Sequence, residues 1–132
     1  MASITVQDLD LWRDSILLVK SVQSAVRSWS SKELEGIAAQ ALQVSVSIPA
    51  SLGDGRGRSD PSQTRRFAQI ALNAAFELET LLIISSELGG PDLENLSALR
   101  RDLTTLMRRL ENFISTQEWL LRGRYHARAE RL

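Results

Sequence analysis

The chain has 132 residues, 43% hydrophobic but only 5% aromatic, with no cysteine and a formal net charge of zero. That length fits one domain, residues 1–132, with a real core. Few aromatics suit helices better than a sandwich or barrel. Disulfides and thiolate metal sites are excluded, a reducing compartment is the default, and charge balance argues against a plain electrostatic polyanion binder. Asp8, Asp10 and Asp14 are unlike the start of a signal peptide. No apolar run approaches the roughly eighteen residues of a membrane span, so a soluble cytoplasmic protein is expected.

Apolar positions recur at helical spacing in four segments, and no stretch alternates like a strand. The first helix is predicted over about 6–29, with Trp12, Ile16, Val19, Val22, Val26 and Trp29 on its core face. Ser30 with Glu33 forms a capping-box pair that starts a second helix over about 31–53. Its stripe is Leu34, Ile37, Ala41, Val44, Ile48 and Leu52, and it runs through Pro49 into a glycine-rich loop over residues 53–60. A proline there removes one backbone bond and crowds the carbonyl of Ser45.

Asp60-Pro61 with Gln63 supplies an N-cap, a proline at the first helical position and a capping-box partner for a third helix over about 61–88. Gly89-Gly90 can close that helix in the left-handed region, and Pro91 blocks its continuation. Asp92 then caps a fourth helix over about 92–121, with Leu96, Leu99, Leu103, Leu106, Leu110 and Ile114 inward; residues 122–132 are expected to fray. Long helices joined by short turns predict an all-α, antiparallel up-down four-helix bundle.

The third helix has apolar residues on two sides. With Phe67 at zero and 100° per residue, Ile70, Ala71, Ala74, Leu78, Leu81 and Leu82 form a core stripe. Leu72, Phe76 and Ile83 fall at about 140°, 180° and 160°. Each such side chain is worth about 1.5–3 kcal/mol when buried, so these three are predicted to form a subunit interface.

Positive charge is concentrated. Residues 56–66 hold 4 basic and 1 acidic group, and residues 100–132 hold 8 and 4; of sixteen basic residues fourteen are arginine. Arginine favours forked contacts to carboxylate or phosphate. Two readings of the Gly53-Asp54-Gly55-Arg56-Gly57-Arg58 run stand side by side. In one, glycines make a turn while Asp54 and Asp60 pair with arginines. In the other, Arg56, Arg58, Arg65 and Arg66 form a phosphate-contacting patch. The run lacks the Gly-Lys-Ser/Thr ending of a P-loop. On the fourth helix, Arg101 and Arg108 share a side with Trp119, able to contact a phosphate backbone and stack a base or to pair with Asp102, Glu111 and Glu118. Arg122, Arg124, His126, Arg128 and Arg131 form a basic tail.

Catalytic chemistry has little to stand on. The single histidine rules out the paired Glu-x-x-His motifs of a di-iron bundle. Glu77 and Glu79 point apart on their helix, so they make no shared site. No catalytic residue, metal or cofactor is expected, and the protein is read as a non-enzyme.

Several runs carry a resemblance: Gly36-Ile37-Ala38-Ala39-Gln40, Val46-Ser47-Ile48-Pro49-Ala50, Asp54-Gly55-Arg56-Gly57-Arg58, Phe67, Ile70-Ala71 and Glu77-Leu78-Glu79-Thr80. In this order they resemble the bacterial four-helix-bundle family whose founding members are encoded by intervening sequences in 23S ribosomal RNA genes. The resemblance implies a ring-shaped homopentamer of four-helix bundles. It also implies kinship with the accessory variability determinants of diversity-generating retroelements, which bind nucleic acid and a reverse transcriptase. Two departures stand out. Leu42 and Gln43 occupy positions where that family usually has two basic residues, and Ser51-Leu52-Gly53-Asp54-Gly55 replaces its usual Asn-Ile-Ala-Glu-Gly. The expected function is a homo-oligomer that binds RNA or DNA through repeated arginine patches; the alternatives are an adaptor for a protein partner such as a reverse transcriptase, or an oligomer with no nucleic-acid role.

Overall fold

A computed structural model describes residues 6–29, 31–58 and 60–130, with side chains placed over 8–29, 31–58 and 60–123. It contains α1 (Val6–Val26), α2 (Lys32–Arg56), α3 (Pro61–Glu87) and α4 (Ser97–Glu130), and no strand among the described residues. Sequential helices are neighbours, and α1 closes the set against α4. Short turns make each neighbouring pair antiparallel, as an up-down bundle requires. The α2–α3 packing is the most extensive and the α1–α4 packing the least.

Local chemistry explains most helix ends. Ser31, rather than Ser30, caps α2: its hydroxyl accepts from Leu34 N at 3.3 Å, so the predicted Ser30–Glu33 box is off by one residue, and Ser30 lies outside the described residues. Asp60 caps α3 as expected, accepting from Ser62 N at 3.0 Å, with Pro61 at the first helical position. At the far end Gly89 has φ +85°, Gly89 N donates to Ser86 O at 3.2 Å, and Gly90 N donates to Ser85 O at 2.8 Å. This pair of crossed bonds closes α3 and satisfies two carbonyls the helix would otherwise leave open.

Four boundaries differ from expectation, the first being α1, which ends at Val26 rather than near residue 29. The second helix does not stop at residue 53 but takes in Gly53, Asp54, Gly55 and Arg56, so the predicted 53–60 loop shrinks to a short turn. Gly55 is buried there, and a Cβ on it would lie 3.1 Å from Phe67 Cβ, so the missing side chain lets α2 approach α3 closely. The chain turns at Asp92, whose carbonyl accepts from Asn95 N at 2.9 Å and from Leu96 N at 3.3 Å, but turns rather than regular helix follow until α4 begins at Ser97. That helix then continues to Glu130 instead of fraying after residue 121.

The core is one aliphatic cluster from all four helices, with Ile48, Leu78, Leu82, Leu103, Leu110 and Val22 fully enclosed. The inward faces of α2 and α4 hold as predicted, and Leu96, Leu99, Leu103, Leu106, Leu110 and Ile114 are all buried. On α1 the buried line is Leu11, Ser15, Leu18 and Val22, while Ile16 is 41% exposed. Ser15 qualifies as a core residue because its hydroxyl donates to Trp12 O at 2.6 Å, leaving no open polar group. Ser45 and Ser85 are buried on the same terms, donating to Leu42 O and Leu82 O at 2.7 Å.

On α3 the predicted interface stripe is corrected. Leu72 is buried in the core, whereas Phe76 and Ile83 remain 44% and 39% exposed, and the predicted core residue Ile70 is 41% exposed. Because α3 packs against both α2 and α4, its buried arc is wide and centred about 50° beyond Phe67, which takes in Leu72 and leaves out Ile70. By length and composition α3 could cross a membrane, against the expectation that no segment would. Its buried face lies inside the bundle between α2 and α4.

Candidate nucleic-acid interface

Up-down topology brings the start of α1, the end of α2, the start of α3 and the late turns of α4 to one end of the bundle. Most of the predicted arginines gather there. The guanidinium carbon of Arg56 sits 4.5 Å from the centre of the Trp12 ring, and that of Arg58 sits 5.3 Å from the centre of Phe67. Each contact is worth about 0.5–2 kcal/mol, more where water is excluded. Arg56 is partly buried, and its Nε has no hydrogen-bond partner among the described residues. Arg58 Nε also donates to Asp54 O at 3.3 Å.

Arg65 Nε donates to Glu118 Oε1 at 3.0 Å in a bridge whose side chains are both 41% exposed. A second bridge joins Arg109 to Asp14 across α1 and α4. Among the described residues, Arg66, Arg101, Arg108 and Arg122 make no ion pair, and all four are exposed. The side chain of Arg124 lies outside the described residues, as do those of His126, Arg128 and Arg131.

The predicted set is therefore split. Arg56, Arg58, Arg65, Arg66 and Arg122 share one end, while Arg101 stands about 32 Å up α4 from Arg122. Arg108 lies between them on a shallow groove with Glu79, Thr104, Met107 and Glu111, where two carboxylates offset its charge. Asp54 and Asp60 do not supply the expected carboxylate pairing. Asp60 caps α3, and Asp54 offers Arg58 its backbone oxygen. Among the described residues no group of three or more His, Asp or Glu side chains is placed to hold a metal ion.

Sequence reasoning missed the aromatic seats. Trp12 and Phe67 read as core residues, yet both are only partly buried and each carries an arginine. Antiparallel topology holds the signal: Trp12, early in α1, is level with the last turn of α2, where Arg56 stands.

Fold and surface define an all-α four-helix bundle with an arginine-rich end. Over residues 7–112 the chain matches the family described as 23S rRNA-intervening sequence protein. The chain belongs to that family, as its glycine, proline and arginine runs implied. No curated protein matches it.

Proposed function

We propose that the protein is a non-enzymatic, cytoplasmic homo-oligomer that binds RNA or DNA through arginines repeated around its assembly, most directly Arg58, Arg66 and Arg122. The observation that carries this reading is the set of exposed arginines without carboxylate partners, at an end where Arg56 and Arg58 are held on aromatic rings. A guanidinium fixed in place loses less freedom when it meets a phosphate. Zero net charge is compatible with this, because residues 56–66 hold 4 basic groups and 1 acidic one. Repetition in a ring adds avidity to weak patches.

Self-association is supported by the exposed outer residues of α3, Ile70, Phe76, Ile83 and Ile84, and by the family resemblance to pentameric rings. Placing Asp at Phe76 is expected to reduce the mass seen by light scattering, and an unchanged mass counts against that face. Titration of a labelled structured RNA should show binding at about 50 mM salt that weakens steeply by about 200 mM. No binding at the lower salt removes nucleic acid from the function. In that case an adaptor role toward a protein partner such as a reverse transcriptase, open to pull-down, becomes the better reading.

A further inference from the structure

The Arg65–Glu118 bridge fixes which residues of α3 and α4 stand level with one another. Stepping one residue onward turns about 100° on each helix. Because the helices run in opposite directions, both steps turn toward the same side of the pair. One residue before the bridge stand Thr64 and Gln117, both partly buried; one residue after it stand Arg66 and Trp119, both exposed. Arg66 and Trp119 thus face the same outer side of the α3–α4 pair, within about 3 Å of the same height and roughly one interhelical distance, about 8–10 Å, apart. Arg122, one turn past Trp119 on the same helix, is exposed as well.

Trp119 is 64% exposed, the most of any large apolar side chain among the described residues. Trp12 and Phe67 already carry guanidiniums, whereas among the described residues no cation covers the Trp119 ring. Of the carboxylates at this end, Glu118 is bridged by Arg65 and Asp60 accepts from the backbone N–H of Ser62, while Asp8, Asp10 and Asp54 add negative charge on α1 and α2. What remains is an open indole face between two unpaired arginines. Trp119 and Arg122 lie beyond residue 112, where the family match ends, and Arg66 lies within it.

We infer that Trp119 is a stacking seat for one unpaired base, with Arg66 and Arg122 holding the flanking phosphates, so that the ligand is single-stranded at this point. The inference rests on the nucleic-acid reading above and narrows it. Aromatic platforms suit unpaired bases because a duplex keeps its base faces stacked on one another. The charge beside the ring is complementary to a phosphate backbone and gives no comparable reason for a neutral or basic protein surface to dock there.

Three labelled probes separate the outcomes: an oligouridylate of roughly twelve nucleotides, an abasic strand of the same length, and a duplex of the same length. The full chain is expected to prefer the oligouridylate over the abasic strand. Trp119→Ala should weaken the oligouridylate about 5- to 150-fold while leaving the abasic strand and the duplex unchanged. Trp119→Phe, which keeps an aromatic face, should retain most of the affinity. Equal binding of oligouridylate and abasic strand overturns the stacking seat, as does an equal loss on all probes. A smaller mass by light scattering for Trp119→Ala also overturns it, since Trp119 would then be a subunit contact. If the unmodified chain binds none of the probes, the broader nucleic-acid reading falls too; if it binds all three with no effect at Trp119, only the stacking seat falls.

Discussion

At the end formed by the α1–α2 and α3–α4 turns, Trp29, Leu34 and Leu96 are buried, and Gly89-Gly90 finish α3 with crossed backbone bonds. At the other end, where α2 turns into α3, Leu11, Leu52 and Pro61 are buried too, and Arg56 over Trp12, Arg58 over Phe67 and Arg65 on Glu118 cover the outside. Apolar burial at the first end is indifferent to salt and hidden from solvent. Arginine contacts at the second are individually weak, partly exposed and weakened by salt. One end thus secures the bundle, and the other keeps charged groups ordered yet within reach of a ligand.

The sharpest way to break this contrast is Leu34→Ala. Leu34 is 3% exposed at the apolar end, and its truncation should cost about 2–5 kcal/mol. Thermal unfolding followed by circular dichroism should show a Tm drop on the order of 10 °C, with RNA affinity unchanged well below the transition. A loss of affinity in the folded variant would mean the two ends are coupled.

Gly90→Ala comes next. A Cβ on Gly90 would sit 2.6 Å from Ser85 O, the atom that accepts the Gly90 N–H, so the backbone itself must move. The expected cost is about 1–3 kcal/mol, and an unaltered Tm would show that the apolar end is less tightly fixed than its bonds indicate.

Smallest is Glu118→Gln. Both side chains of its bridge are 41% exposed, so solvent screening holds the loss to about 0.2–1 kcal/mol. The difference from the unmodified protein should vanish near 1 M salt. A cost above that of Gly90→Ala would reverse the ranking of the two ends.

Much of the architecture is legible in the sequence because α2 and α4 carry apolar stripes, and because Asp60-Pro61 and Gly89-Gly90 mark the start and end of α3 chemically. Where reading failed, the reasons are specific. Ser15 was skipped as polar, which rotated the predicted face of α1 onto Ile16; a serine bonded to its own helix packs as a small core residue. Leu72 lies about 140° from Phe67 and so reads as part of the outer stripe, but a helix packed against two partners buries a wider arc that takes it in. The glycines of 53–57 read as a loop, but α2 continues to Arg56, and Gly55 serves close packing, since a Cβ there would lie 3.1 Å from Phe67 Cβ. Arginine clustering was visible as composition. Which arginines are seated, bridged or open depends on register between helices distant in sequence, as between Arg65 and Glu118, and no local pattern encodes it.

The proline within α2 has one more consequence. Lacking an N–H, Pro49 cannot donate to the Ser45 carbonyl, so the ladder of α2 is interrupted where Ser45 and Ile48 are sealed in the core. Residues 50–56 continue the helix past that one missing bond as a short terminal arm, still held by the ladder bonds of the residues after Pro49. That arm bears Arg56, so amide exchange faster in residues 50–56 than in 37–48 would identify Pro49 as the joint about which the cationic tip adjusts its angle.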